Sequence, residues 1–148
     1  MSRRMRIVAR PAFRNRWLNP YNARIYQGMT PHGVEVREFR GPPSVLRLPR
    51  PDILHIHWPE SSFNHGLFSG LATTEALLAA MRIHRARGGK VMWTLHNLEA
   101  HERRFPRTEE RFWRRYLPMV DGVIALGSSS LARARQRRPA LVTRPAWV

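Results

Sequence analysis

Short apolar runs alternate with longer amphipathic segments along the chain. The apolar runs are rich in β-branched residues, which is typical of strands. They predict five strands, at residues 5–9, 34–39, 52–58, 90–95 and 121–126. Several of these runs are apolar at nearly every position, which indicates strands that are buried on both faces of a parallel sheet.

Segments with a helical spacing of apolar residues lie between the predicted strands. The first begins at Asn19 and Pro20, because Asn is a good cap and Pro fits the first helical position, and it continues to about Met29. Others are predicted at 67–87, after Thr108, and from the caps Ser128, Ser129 and Ser130 up to Pro139. Since strands and helices alternate, we expect one α/β domain over residues 1–148, a Rossmann-like three-layer sandwich with a mostly parallel sheet.

Two segments fit neither pattern. Residues 40–51 hold four prolines, which argues against a regular helix and predicts an extended crossover or surface loop. The final residues, LVTRPAWV, resemble the start of another element.

Composition narrows the function classes that remain open. The absence of cysteine excludes disulfides, thiolate metal ligands and a catalytic cysteine. The net charge of +16 comes almost entirely from arginines spread along the chain, with Lys90 the sole lysine. This distribution predicts a solvated basic surface, which attracts anionic membranes, phosphorylated substrates or nucleic acid without specifying any of them. With no apolar stretch of about eighteen residues and no signal peptide, we expect a cytoplasmic location.

Polar side chains follow three predicted strands at the point where each strand ends. These ends read HWPE at 57–60, HNLE at 96–99 and GSSS at 127–130. Ligands of open parallel sheets bind beside the carboxyl ends of the strands, so these residues are expected to line one cleft. His96 has two interpretations: a functional group in the cleft, or a hydrogen-bonded residue that holds the following loop. The residues alone leave both open.

The motifs present do not support the common cofactor sites. His55 and His57 face the same side of one strand, yet neither HExxH nor a one-turn spacing supports a metal site that includes His96 and His101. His55 is expected to be a hydrogen-bonded core histidine. No GxGxxG follows the first strand, and no Walker or GxSxG motif occurs, so we expect no bound cofactor.

Three segments, DILHIHWPE, VMWTLHNLEAHE and DGVIALGSSS, occur in an order and with separations that resemble the N-terminal domain of GT-B glycosyltransferases of the family 4 type. The opening stretch RIVARPAFRNRWLNPYNARIYQGM is similar to the first strand, acceptor loop and helix of bacterial members that build exopolysaccharides or other surface glycans. The resemblance implies transfer between two domains. This domain would hold the acceptor, and a second Rossmann domain would hold the nucleotide-sugar donor.

The resemblance also implies roles for individual residues. His96 corresponds to the strand-end histidine beside the donor sugar and phosphate, and Asn97 follows it. The implied substrate-binding residues are Asn19, Tyr21, Asn22, His57, Glu60 and Asn97. Trp58 and Ser128 are further candidates because they lie at strand ends, and the N-terminus of the helix at Ser128 could bind an anion, although capping is the stronger interpretation there. Glu99, His101 and Glu102 are candidates for the general base that accepts the proton of the acceptor hydroxyl, and the sequence does not choose among them.

The sequence departs from the enzymes it resembles because it contains no donor-binding domain. We therefore expect negligible transferase activity from the 148 residues alone. The expected partners are a nucleotide sugar, a glycan or lipid-linked acceptor and a separate donor-binding domain or subunit, with an anionic inner membrane surface as a further candidate. The alternative is a non-catalytic Rossmann-like module that binds such a membrane or another protein. Nucleic-acid binding is not expected.

Overall fold

A parallel β-sheet forms the centre of the molecule. The computed structural model describes residues 4–47, 51–63, 67–96 and 105–148. Within these ranges six strands are hydrogen-bonded in the order β2-β1-β3-β4-β5-β6, and every neighbouring pair is parallel. The strands are β1 Met5–Arg10, β2 Val34–Glu38, β3 Ile53–Ile56, β4 Lys90–Leu95, β5 Gly122–Ala125 and β6 Ala146–Trp147.

Helices cover both faces of this sheet. They are α1 Tyr21–Met29, α2 Pro43–Leu46, α3 Leu67–Ala86, α4 Pro106–Tyr116 and α5 Ser128–Arg137. Side chains alternate along β1: Ile7 and Ala9 pack with Tyr26 of α1, whereas Val8 belongs to the larger core that includes residues of α3 and α4. The expected Rossmann-like three-layer α/β fold is confirmed. In the part of the chain that the structure describes, no helix has the length and apolarity needed to cross a bilayer.

The predicted third strand was too long at its carboxyl end. β3 stops at Ile56, so His57 and Trp58 lie beyond the strand. The His57 N–H still donates to the Arg10 carbonyl at 2.9 Å, which ties the start of the loop to the neighbouring strand β1. Both aromatic side chains therefore stand at the carboxyl edge of the sheet.

The proline-rich segment 40–51 contains a helix that the sequence did not predict. α2 is a single turn, and Pro42 and Pro43 stand at its start, where a helix does not need their missing N–H groups. Val45 is buried, and Arg87 donates hydrogen bonds to two carbonyl groups at the end of the turn. The prolines begin a short helix here instead of excluding one.

The helix starts also differ from the expected caps. The first helix begins at Tyr21, and the Tyr21 N–H donates to Asn19 Oδ1 at 3.1 Å. The prediction that serines cap α5 is wrong: Gly127 precedes the helix, Ser128 is its first residue, and the structure shows no side-chain cap at this end. The remaining helix α4 begins at Pro106, a little earlier than expected.

The last residues of the sequence form the sixth strand. β6 pairs in parallel with β5, and the Val123 N–H donates to the Pro145 carbonyl at 3.0 Å. The ring of Trp147 lies over Gly122, where an added Cβ would stand only 2.8 Å from it. The expectation of another element at 141–148 is confirmed.

Candidate functional site

His57 and His96 meet at the carboxyl edge of the sheet. They follow the adjacent parallel strands β3 and β4, so the fold brings them together although 39 residues separate them. His57 Nδ1 and His96 Nε2 are hydrogen-bonded at 3.0 Å. The expectation that these two strand ends line one edge of the sheet is confirmed.

Aromatic rings fix the orientation of His96. Trp58 stacks on its imidazole with ring centroids 4.3 Å apart and planes 21° apart. Tyr21 meets the same ring edge-on, with centroids 5.2 Å apart. The His96 side chain is half-buried, and its Nε2 is bonded to His57. Among the described residues Nδ1 has no hydrogen-bond partner, so it is the nitrogen that can bind a ligand.

A line of hydrogen bonds continues from His57 into the core. The Tyr26 hydroxyl is bonded to His57 Nε2 at 2.6 Å and to His55 Nδ1 at 2.8 Å. His55 Nε2 is bonded to Thr94 Oγ1 at 2.8 Å. The histidine network is therefore Thr94, His55, Tyr26, His57 and His96, in that order.

The network confirms one expectation and adds residues that the sequence did not single out. His55 is buried and bonded at both ring nitrogens, as predicted for a core histidine. Tyr26 and Thr94 were not predicted, because they come from other elements. Tyr26 belongs to helix α1 and Thr94 to strand β4. The available signal was the pair of histidines on one face of a buried strand, which requires polar partners from the elements that pack on it.

Burial keeps the three imidazoles of the network uncharged. It lowers the pKa of His57 to about 2, assisted by His55 and His96, and the pKa of His55 to about 4, assisted by His96. It also lowers the pKa of His96 below the usual histidine value. At neutral pH each ring therefore carries one proton, and His96 presents a neutral imidazole to the solvent.

Two of the other predicted residues, Asn22 and Glu60, are buried. Asn22 is buried, and its side-chain amide donates to the Pro11 carbonyl at 2.9 Å, which holds the loop between β1 and α1. Glu60 is buried in the short turn after Trp58. Burial lowers the pKa of Arg10 in this region, and the charge of Glu60 opposes that shift.

The remaining predicted residues are less informative. Ser128 is exposed at the carboxyl end of β5, on the same edge of the sheet as His96. Asn97, Glu99, His101 and Glu102 lie outside the described residues. Over the ranges that are described, no group of three or more His, Cys, Asp or Glu side chains is arranged to hold a metal ion.

A basic cavity of about 670 Å³ lies beside the loop between β1 and α1. It is lined by Phe13, Arg14, Arg16, Trp17, Glu38 and Arg40. The Glu38 carboxylate accepts hydrogen bonds from the backbone N–H groups of Ala12, Phe13 and Arg14, which shapes this loop. Trp17 and Leu18 project from it, with 85% and 93% of their surfaces exposed. This surface was not predicted from the sequence, although a Trp-Leu pair beside arginines in a polar loop was a usable signal.

The fold and this edge define a Rossmann-like α/β protein with a pair of bonded histidines at the carboxyl edge of the sheet, the position where such folds bind ligands. Two sequences of a GDP-mannose:glycolipid 4-beta-D-mannosyltransferase from Xanthomonas campestris pv. campestris match it. Each is 36% identical over 87 residues, which is 58% of this chain. The match relates the chain to glycosyltransferases.

The match covers only part of these relatives. The matched region spans 24% of the length of each mannosyltransferase. No family model matches the chain. The crystal structure of a PfkB family carbohydrate kinase from Listeria grayi aligns with 95% of this chain and 55% of that one, at 13% identity and a TM-score of 0.45, a likeness too weak to bear on function.

Proposed function

We propose that this chain is the acceptor-side domain of a GT-B glycosyltransferase, which transfers a sugar from a nucleotide-sugar donor to a glycan or lipid-linked acceptor. The observation that carries the proposal is the neutral imidazole of His96, held at the carboxyl edge of the sheet by Trp58, Tyr21 and His57. Trp58 and Tyr21 are partly exposed and offer apolar aromatic surface to a sugar ring, and the neutral imidazole nitrogen beside them suits a sugar hydroxyl.

His96 is the proposed proton acceptor of the reaction. The acceptor hydroxyl oxygen forms a bond to the anomeric carbon of the donor sugar, while the bond between that carbon and the diphosphate breaks. The nucleoside diphosphate leaves with the electron pair, and the hydroxyl proton moves to His96 Nδ1. The lowered pKa of His96 keeps this nitrogen unprotonated and ready at neutral pH. Glu99, His101 and Glu102 remain alternative bases.

The relatives suggest the substrate classes. Their name specifies GDP-mannose as donor and a glycolipid as acceptor, and we propose the same classes for this chain. We place the donor on a second Rossmann domain or subunit, because charges on that side must stabilise the departing diphosphate. The chain of 148 residues alone is therefore expected to bind acceptor without transferring sugar to it.

An NMR titration tests this division of roles. Alkyl glycosides serve as glycolipid analogues and GDP-mannose as donor, each added to the ¹⁵N-labelled chain. Glycosides are expected to shift the resonances of His96, Trp58 and Tyr21, whereas GDP-mannose leaves them unchanged. Trp58→Leu should weaken glycoside binding. Trp147→Leu, at a half-exposed tryptophan of β6, is the matched control and should not.

Three outcomes contradict the proposal. Saturable binding of GDP-mannose at His96 would assign the donor to this domain, and the absence of any glycoside response at Trp58 and Tyr21 would remove the acceptor site. Efficient transfer by the isolated chain would also refute the need for a donor-binding partner.

The alternative function is a non-catalytic module at an anionic membrane. It is favoured by the exposed Trp17 and Leu18 next to Arg14 and Arg16, since arginines attract anionic headgroups while the apolar side chains enter the interface. Membrane binding is compatible with the transferase as well, because a lipid-linked acceptor lies at such a surface. Membrane binding without any glycoside binding would favour the alternative.

A further inference from the structure

The histidine network links the half-buried His96 to groups deep in the core. Its hydrogen bonds run from Thr94 to His55 (2.8 Å), Tyr26 (2.8 Å), His57 (2.6 Å) and His96 (3.0 Å). A neutral imidazole donates through its one protonated nitrogen and accepts through the other. If a ring accepts one hydrogen bond of the network, it must therefore donate the next one, so the direction of one bond fixes the direction of the others.

Only two alignments satisfy every link. In the inward alignment His96 Nε2–H donates to His57 Nδ1, and His57 Nε2–H donates to the Tyr26 oxygen. The Tyr26 hydroxyl then donates to His55 Nδ1, and His55 Nε2–H donates to Thr94 Oγ1. In the outward alignment all of these bonds are reversed.

Mixed alignments leave a polar group without a partner. If both His55 and His57 donated to Tyr26, the phenolic proton would have no acceptor among the described residues, because these two nitrogens are the partners of that hydroxyl. If neither donated, one of the two nitrogens would face the single proton of Tyr26 without receiving it. Tyr26, His55 and His57 are all buried, so water does not replace the lost bond.

The two alignments leave His96 in different chemical states. Inward alignment protonates Nε2 and leaves Nδ1 as a bare lone pair, whereas outward alignment places the proton on Nδ1. Only the first state can accept a proton from a hydroxyl group. After it has done so, Nε2–H still donates to His57, so the network need not rearrange.

We propose that the network runs inward, and that Tyr26 and His55 act as positioning residues that hold His96 in the tautomer with Nδ1 unprotonated. This inference rests on the proposed function, in which Nδ1 accepts the proton of the acceptor hydroxyl. The positive charge formed in that step stays on His96, because burial disfavours a cation on His57 and His55.

Long-range ¹H–¹⁵N NMR of the histidine rings at neutral pH tests the proposal directly. The chain is expected to show His96 protonated at Nε2 only. Tyr26→Phe removes the acceptor of His57 Nε2–H, so His57 should move its proton to Nδ1 and donate towards His96. The proton of His96 should then shift to Nδ1, although residue 26 does not touch His96 by hydrogen bond.

Tyr116→Phe is the matched control. Tyr116 is also fully buried, but its hydroxyl has no hydrogen-bond partner in the part of the chain that is described. Its loss should leave the His96 tautomer unchanged. Thr94→Val removes the far end of the network with a side chain of nearly the same shape, and it should produce the same shift as Tyr26→Phe in smaller degree. If Tyr26→Phe does not fold, the His96 tautomer of Thr94→Val tests the proposal instead.

His96 protonated at Nδ1 in the unmodified chain would overturn the proposal, as would a tautomer that Tyr26→Phe and Thr94→Val leave unchanged. These readings need no substrate, so they are independent of the proposed function.

With the donor-binding partner present, Tyr26→Phe should lower kcat about ten-fold or more with little change in the KM for the acceptor. The loss is expected to stay below the roughly 10²–10⁴-fold contribution of a positioned general base, because His96 itself is retained. A tautomer shift without any transferase activity would leave the network intact and refute the proposed reaction.

Discussion

Trp17 and Leu18 are large apolar side chains that the fold leaves almost fully exposed. The guanidinium of Arg16 lies 5.0 Å from the Trp17 ring centroid, and Arg14 and Arg40 line the adjoining cavity. A pair of apolar side chains beside several guanidinium groups matches the interface of an anionic bilayer, where the headgroups are charged and the region beneath them is apolar.

We expect the double variant Trp17→Ser, Leu18→Ser to lose most of its binding to phosphatidylglycerol-containing vesicles. Removing two apolar side chains from the interface should lower the partition coefficient roughly ten-fold or more, given about 1.5–3 kcal/mol for complete burial of one such side chain. Sedimentation with the vesicles measures this effect. Phe68→Ser is the control, since Phe68 is 85% exposed but belongs to α3. Equal sedimentation of all three proteins would contradict the prediction.

Among individual residues, the sequence predicted some contacts of the candidate site and missed others. His57, Trp58 and His96 were predictable because each follows a strand, and parallel strands end at the same edge. Tyr26 was not, because its bonds to His55 and His57 depend on how α1 lies on β3, across 29 and 31 residues of sequence. A helical pattern reports which face is buried, but not which side chain of another element it meets.

At the scale of elements, α3 approaches the turn after β3 very closely. Gly70 lies in the first part of α3, and a Cβ added there would stand 2.9 Å from the Phe63 carbonyl oxygen. The neighbour is backbone, which cannot move aside as a flexible side chain can. This contact fixes the helix against the segment that begins at Trp58.

Gly70→Ala is therefore expected to destabilise the chain by about 1–3 kcal/mol, the usual cost of overpacking. Gly28→Ala provides the comparison, because Gly28 is also helical and has no atom within 4 Å of its added Cβ. That change should stabilise the chain by up to about 1 kcal/mol. Urea denaturation of both variants measures the difference, and a Gly70→Ala chain as stable as Gly28→Ala would show that α3 can shift freely.

The sequence predicted where strands and helices lie, because the local spacing of apolar residues determines this. It did not predict how helices begin, because that depends on backbone geometry at their ends. The period-two and helical spacings located β1 to β5 and four of the five α-helices found in the described residues, because both spacings report burial directly. The single turn α2 was not predicted, because four prolines in one segment argue against a regular helix, although two of them stand at its start. The serines before α5 look like caps in the sequence, yet Gly127 occupies the position before the helix.

For the whole molecule, the buried histidines make stability depend on pH. The unfolded chain binds a proton on each histidine near pH 6.5, whereas the fold lowers the pKa of His55 to about 4 and that of His57 to about 2. Above pH 6.5 both states are neutral and the stabilisation is complete. Below pH 6.5 the unfolded state binds protons that the folded state does not bind. The free energy of unfolding therefore decreases until the pH reaches the folded pKa of each group.

We expect the free energy of unfolding to fall by up to about 1.4 kcal/mol per pH unit for each of these groups below pH 6.5. Burial also lowers the pKa of His84, which adds to the same trend. His55→Gln should reduce the loss between pH 7 and pH 5 by about 2 kcal/mol. His32→Gln, at an exposed histidine, is the matched control. Urea denaturation at the two pH values measures the slopes, and identical slopes for the unmodified chain and His55→Gln would refute the prediction.

The contacts that hold the His96 imidazole decide which substitutions leave it in place. The His96 ring contacts Tyr21, His57 and Trp58. The backbone N–H of His96 donates to the Thr94 carbonyl at 3.0 Å. Substitutions that spare residues 21, 57, 58 and 94 leave these contacts of the imidazole in place. In the proposed transferase, a change of sugar selectivity would then come from residues outside this set, while His96 keeps its position.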